Sequence, residues 1–344
     1  MHALSGLLCT AMAAMWYAVP AAVLAAPPEP LDSAAVMSPL SRHSVLVAVA
    51  RAQSRLVAAG ERGHIIYSDD NGATWTQAMV PVSVTLTALR FADGRRGWAV
   101  GNGAVILRTD DGGATWTKQF DGRALLATLQ ASVEGLADER KKRLLHEGAD
   151  KPFLDIYVST PDKALAVGAY GLMFATADGG ASWQPAFGRL AQVEERHLYA
   201  VRKIGAAVYL AGEQGLLYRS LDNGATFQPF NAPGKGTYFA LLGERDDLLL
   251  LGLRGAAYHS RDAGANWRKI DIPSKNSLTG GRMSADGQAF VLVDDGGGAW
   301  RVSRLGDEVR RLATSTVFPF AGMEIAADGA LVIVGALGFA QVLR

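Results

Sequence analysis

The sequence predicts an all-β fold: a seven-bladed β-propeller with four-stranded blades, an N-terminal strand that closes the last blade, and one helical insertion. Three observations predict it. A short motif recurs five times at a spacing near 40 residues. The same rhythm of apolar runs and tight turns continues for two further periods without the motif. Gly, Asp and Asn cluster between the apolar runs, where hairpins turn. A period near 40 residues is the mark of a propeller blade. A closed ring can exceed ordinary domain size because each blade brings its own core.

Composition agrees with a globular chain. Of 344 residues, 49% are hydrophobic and 19% charged, and 39 are glycine, against about 24 for an average chain of this length. The formal net charge of +1 is far from the basic balance of a nucleic-acid binder. On that balance no nucleic acid is expected as partner, and no glycine-rich loop precedes a helix, so no nucleotide is expected either.

The first 26 residues read as a signal peptide, with the propeller spanning 27–344. Leu4 to Ala26 carries no charge and ends in Val23-Leu24-Ala25-Ala26 before Pro27-Pro28, which fits cleavage after Ala25 or Ala26. The segment departs from the usual pattern in having only His2 and the amino terminus where Lys or Arg is common. The competing reading is an uncleaved anchor. Cys9 is the single cysteine, and Leu7-Leu8 before it do not fit a lipoprotein site. Removal of the segment leaves no cysteine and therefore no disulfide. The longest later apolar run, Leu248 to Leu253, is too short to span a bilayer. The expected location is a periplasm or an equivalent lumen.

The motif is Ser/Thr-x-Asp-x-Gly-x-(Thr/Ser/Asn)-Trp/Phe. It occurs at Ser68–Trp75, Thr109–Trp116, Thr176–Trp183, Ser220–Phe227 and Ser260–Trp267, so the final aromatics are 41, 67, 44 and 40 residues apart. The long gap is one period plus an insertion. The second repeat parses as strands at Leu86–Phe91, Trp98–Val100, Val105–Thr109 and Thr115–Gln119. Two later repeats keep the rhythm, with strands at Ala289–Val293 and Ala299–Ser303, then at Leu331–Val334 and Phe339–Leu343. The last blade ends after its third strand, which leaves an open edge. Ser33–Pro39 is expected to supply the missing outer strand.

These motifs resemble Asp-boxes, or bacterial neuraminidase repeats. The resemblance implies structural roles for Asp70, Asp111, Asp178, Asp222 and Asp262, which would hold the turn. It implies the same for Trp75, Trp116, Trp183, Phe227 and Trp267, which would pack between strands. The longer pattern, Val167-Gly168-Ala169-Tyr170-Gly171 through Trp183 and Val100-Gly101 through Trp116, resembles the photosystem II stability and assembly factor family of seven-bladed propellers. The resemblance spans about residues 44–344. It implies a non-enzymatic assembly role, with a membrane protein or envelope complex as partner. If the host is photosynthetic, it also implies a thylakoid lumen location.

In a propeller, turns between second and third strands and links between blades share one face, opposite the Asp-box turns. That face holds most propeller binding sites by analogy. Its candidate residues are Glu61, Arg62, Asn102, Tyr170, Glu213, Gln214, Arg254 and Asp294. Gly60/Gly63, Gly168/Gly171, Gly212/Gly215 and Gly252/Gly255 flank four of these turns and are expected to set their geometry. The competing reading is solvated turn residues.

The insertion, about 122–150, joins blades two and three. Leu125, Leu126, Leu129, Val133 and Leu136 recur at helical steps, with Gly135 and Asp138 as candidate breaks. Arg140, Lys141, Lys142 and Arg143 form a basic run, read either as a solvated helix face or as a docking arm for an acidic partner surface.

An enzyme reading stands beside this: a sialidase-type glycoside hydrolase. It needs three arginines, a Tyr–Glu pair and an acid Asp. Tyr170, Glu213, Arg62 and Arg254 supply only part of that set. The histidines His64, His197 and His259 are scattered in or near strands. No catalytic residue, metal or cofactor is assigned, and the chain is expected to act as a monomeric binding scaffold.

Overall fold

The computed structural model describes residues 29–131, 138–191 and 195–341. The expected signal segment 1–26, Val133, Gly135 and Leu136 of the insertion, and the last three residues lie outside them.

Seven antiparallel sheets form the ring. Blade one is Leu46–Ala52, Arg55–Gly60, Ile65–Ser68 and Thr76–Gln77. Blade two is Leu86–Phe91, Gly97–Gly101, Ile106–Thr109 and Thr117–Phe120. Blades three to six begin at Phe153, Leu198, Tyr238 and Leu278 and repeat the order. Blade seven has three strands, Phe320–Ile325, Leu331–Gly335 and Gly338–Gln341.

Second strands sit in the middle of each blade and are covered on both faces. In blades four, five and six every residue of the second strand is buried. A strand covered on both faces needs a continuous apolar run, which accounts for Leu248–Leu251 in blade five. First strands line the axis. Each breaks register once near its start, leaving Val47, Thr87, Leu154, Tyr199, Phe239, Thr279 and Ala321 unpaired at one level. Such bulges increase local twist and re-aim side chains.

Neighbouring blades are tied on the Asp-box face by side chains that reach into the next turn. Arg55 donates to Gly112 O, 3.4 Å, Arg189 to Gly224 O, 3.1 Å, and Tyr209 to Ala263 O, 3.2 Å. Arg108 binds Gly179 O and Arg268 binds Leu305 O in the same way.

The ring does not close as the sequence reading expected. Ser33–Pro39 runs along blade one, not blade seven: Ala35 N–H donates to Val80 O at 3.0 Å and Ser38 N–H to Gln77 Oε1 at 2.8 Å. Blade one's own fourth strand is only two residues long, so its edge offers these partners. The outer edge of blade seven is met instead by the link from blade six, where Ser315 N–H donates to Gln341 O at 2.9 Å. Closure comes from sheet-to-sheet packing. Leu46 and Ile66 of blade one meet Val334, Leu56 meets Val332 and Ala326, and the Trp75 ring packs at a tilt against Phe339. Ala327 N–H also donates to Asn71 Oδ1 at 3.1 Å.

Candidate functional site

All five Asp-boxes adopt one network. In the third, Asp178 Oδ1 accepts from Thr176 Oγ1 at 2.7 Å and from Ser182 N–H at 3.0 Å, and Oδ2 accepts from Ser182 Oγ at 2.6 Å. Thr176 Oγ1 in turn accepts Gly180 N–H at 2.8 Å. Asp70, Asp111, Asp222 and Asp262 repeat this pattern. Hydrogen bonds to the charged form hold the carboxyls of Asp70, Asp178, Asp222 and Asp262 down at about 2. Trp116 and Trp75 donate to Gly113 O and Gly72 O of their own turns at 3.0 and 3.1 Å. Trp183 and Phe227 are buried, and Trp267 donates to Asn231 O. These side chains are engaged in holding turns.

The opposite face is built from a repeated glycine pair. Gly168 ends a second strand in extended conformation, and a Cβ there would lie 2.3 Å from Pro152 O, so only glycine lets the incoming link pass. The residue after next is left-handed: Tyr170 has φ 53°, as do Gln214 (53°), Arg62 (54°) and Arg254 (57°). A side chain in that region costs about 1 kcal/mol or more. All four, with Asn102, are exposed at turn apices around the channel mouth.

The remaining candidates are engaged internally. Glu61 Oε1 accepts Val45 N–H at 3.1 Å and Glu213 Oε2 accepts His197 N–H at 2.9 Å, in each case capping the link into the blade's own first strand. Asp295 does the same for Ser277 N–H. Asp294, read from sequence as a surface residue, is buried at 1% exposure. Blade six lacks the glycine pair. Asp294 stands where the other blades have the first glycine, and its carboxylate accepts Gly296 N–H, Gly298 N–H, Ser274 Oγ and Trp300 Nε1.

The insertion forms two helices, α1 at Gly122–Ala131 and α2 at Asp138–His146. Leu125, Leu129 and Leu144 are buried against blades two and three, and Leu126 is half-buried. Arg140 is also buried. Its Nη2 donates to Tyr170 O and Gly171 O at 2.9 and 3.1 Å, and its guanidinium lies 4.8 Å from the Phe187 ring. Burial pulls its pKa down to about 10. Arg140 therefore anchors α2 on the Tyr170 turn and presents no charge outward. Arg143 pairs with Glu195, Lys141 donates to Gln130 O, and Lys142 is exposed beside Glu139.

From the Tyr170 turn a run of aromatic rings descends into the mouth. Tyr170 packs edge-on against His197 at 4.9 Å, His197 against Tyr199 at 5.9 Å, and Tyr199 against Phe239 at 5.1 Å. His197 Nδ1 accepts Tyr170 N–H at 3.2 Å. Tyr199 and Phe239 occupy bulge positions, which turns their rings into the cavity of about 460 Å³ along the axis. Burial, with the Glu213 carboxylate beside it, pushes the Tyr199 hydroxyl up. The sequence reading named His197 only as a histidine in or near a strand, with no site role, and did not name Tyr199 or Phe239. The other two proposed strand histidines lie elsewhere: His64 is buried under the N-terminal segment, and His259 contacts Asp247 between blades five and six.

Below the aromatic run charged side chains line the channel. Arg90 and Arg202 both pair with buried Asp155, and Arg282 is bidentate to Glu324 at 3.0–3.2 Å. Burial pushes the Asp155 carboxyl up and pulls the Arg90 guanidinium down.

Fold and site together define an Asp-box seven-bladed propeller with an aromatic-lined channel mouth and a helical insertion docked beside it. Residues 136–309, just over half of the chain, match the family model described as photosynthesis system II assembly factor YCF48, and residues 66–77 match the BNR/Asp-box repeat. The chain belongs to the YCF48 family of photosystem II assembly factors. No curated protein matches it. Among solved structures, YCF48 bound to D1 peptide is similar at TM-score 0.64 and 14% identity, covering 90% of this chain and 95% of that one. YCF48 from Cyanidioschyzon merolae is similar at TM-score 0.62 and 14% identity, over 90% and 98%. The WD40 β-propeller domain of Doa1 is similar at TM-score 0.63 and 10% identity, over 92% and 97%. At these identities the structural likeness concerns the fold.

Proposed function

We propose that this protein is a non-enzymatic assembly scaffold that holds an extended segment of a membrane-protein partner across the glycine-turn face. The aromatic run Tyr170–His197–Tyr199–Phe239 serves as the track. That run is the observation that carries the reading. Aromatic rings give large contact area at little conformational cost. The run is continuous from an exposed apex into the channel mouth, and Arg140 braces the turn that starts it. Family membership and the similar YCF48 structure with a D1 peptide support a peptide segment as occupant. On this reading residues 1–26 are a signal segment, the chain is exported to a periplasm or lumen, and it acts as a monomer.

The test is titration of a D1-type peptide against wild type, Phe239→Ala and Leu221→Ala. Leu221 is exposed within the fourth Asp-box, on the opposite face. The expected result is binding weakened about tenfold or more by Phe239→Ala, roughly the 1.4 kcal/mol of one well-packed anchor, and unchanged by Leu221→Ala. Equal affinity for all three proteins overturns the reading.

One observation favours a glycosidase instead: Tyr199 lies beside Glu213 above three arginines. In a sialidase those arginines must be open to a substrate carboxylate. Here Arg282 is held bidentate by Glu324, and Arg90 and Arg202 are held by Asp155. A fluorogenic sialoside panel decides between them. No turnover is expected, and turnover lost in Tyr199→Phe establishes catalysis.

A further inference from the structure

The two faces of the ring leave different side chains exposed. Away from the aromatic run, four consecutive blades each present one exposed apolar residue on the rim of the glycine-turn face. Blade five has Leu253 at its turn. Blade six has Val317, whose Cγ1 would lie 2.7 Å from a Cβ at Gly297 of that blade's turn. Blade seven has Leu337 in the two-residue turn before Gly338, and blade one has Val45 in the link to its first strand. Their exposures are 41%, 65%, 63% and 37%, and rigid turns and links hold them. Such side chains can enter an apolar medium without a further loss of backbone freedom.

Charge is divided the same way. Along this sector Arg42, Arg62, Arg254 and Lys275 are exposed beside the apolar residues. Arg42 O abuts Gly338, and Ser274 O, next to Lys275, abuts Gly255 of the blade five turn. Carboxylates here are few. Asp295 accepts Ser277 N–H, Glu61 accepts Val45 N–H, and Asp271, farther back on the link, lies beside Lys269. The opposite face of the same blades exposes Asp69, Asp246, Asp262, Asp286, Asp307 and Asp328. One side is therefore apolar and basic, and the other is acidic. An anionic bilayer attracts basic groups within a Debye length, and exposed apolar side chains among them reach the boundary with the acyl chains.

We propose that the glycine-turn face seats on a lipid bilayer with anionic headgroups along its rim from blade five through blade seven to blade one. Leu253, Val317, Leu337 and Val45 enter the headgroup–acyl boundary, and the Asp-box face points away from it. The seat is separate from the aromatic run and does not depend on a peptide in the channel mouth.

The test places a tryptophan reporter on each face of the full chain, Leu337→Trp and Leu305→Trp, and adds vesicles of brominated phosphatidylcholine with or without phosphatidylglycerol. Both positions are exposed turn residues. Quenching beyond that of wild type is expected for Leu337→Trp on phosphatidylglycerol vesicles and not for Leu305→Trp. Omitting phosphatidylglycerol is expected to raise the lipid needed for half-quenching at least fivefold. Adding Val317→Ser to Leu337→Trp is expected to raise it about fivefold, the effect of losing one partly inserted side chain. Residues 1–26 are common to every variant, so the differences report the rim. Adding Phe239→Ala is expected to change nothing, which separates this seat from the peptide track. No excess quenching at position 337, equal excess at position 305, or quenching indifferent to phosphatidylglycerol or to Val317→Ser overturns the proposal.

Discussion

The indole of Trp75 lies 5.3 Å from the ring of Phe339, joining the first Asp-box to the last strand of the ring. The pair brings together residues 264 positions apart in sequence, where blade seven has only three strands. Closure at this junction rests on apolar packing and the Asn71–Ala327 hydrogen bond instead of a shared sheet.

Trp75→Ala is therefore expected to destabilise the protein by about 3 kcal/mol, the usual cost of removing a large packed aromatic. Phe339→Ala costs somewhat less, and the double variant costs less than the sum because the two residues share one contact. Equilibrium denaturation of the three variants checks this.

The Asp-boxes make stability depend on acid. Asp70, Asp178, Asp222 and Asp262 have carboxyls near 2 when folded and 3.8 ordinarily. A depressed carboxyl contributes its stability fully above the ordinary value and loses it as pH falls through the folded one. Stability is expected to hold down to about pH 4 and then fall toward pH 2. Replacing Asp178 with Ala should shrink that loss while lowering stability at neutral pH. Denaturant midpoints across this range are the measurement.

Asp247 is buried between His259 and Arg304, which approaches at 2.8 Å. Asp247→Asn leaves the arginine and imidazole facing each other without a counter-charge. A loss of about 3 kcal/mol is expected, in the range for breaking a buried pair. Asp247→Asn combined with His259→Phe should recover part of it. Thermal and denaturant unfolding report both.

Arg140 is the anchor of the insertion. Arg140→Met keeps much of the stem and removes the two bonds to the Tyr170 turn. Hydrogen exchange in α1 and α2 is expected to speed up at least tenfold, while the second strands of blades four to six keep their protection.

Tyr170→Gly separates stability from binding. It relieves a left-handed side chain, so stability should stay within about 1 kcal/mol of wild type, while peptide binding weakens.

The blades were legible because their signals are local. The Asp-box closes on itself within eight residues, and the Gly-x-x-Gly turns announce themselves by spacing. Ring closure was not legible. Ser33–Pro39 could meet either edge, and the choice fell to partners offered by Gln77 and Val80. Asp294 was misplaced because it replaces the first glycine of its turn. Tyr199 and Phe239 were missed for a related reason. They sit at bulges, where simple alternation fails to say which face a residue takes. Aligning the repeats on their bulges brings them, and the channel residues Arg90, Arg202 and Arg282, to common levels.

The central claim is that the partner lies along the aromatic run at the channel mouth. Photo-crosslinking in native membranes tests it most directly, with the reactive residue placed at Tyr170 on one face or at Leu221 on the Asp-box face. The account predicts a discrete membrane-protein adduct from position 170, abolished by Phe239→Ala, and none from position 221. The same adduct from position 221, or an adduct from 170 indifferent to Phe239→Ala, would contradict it.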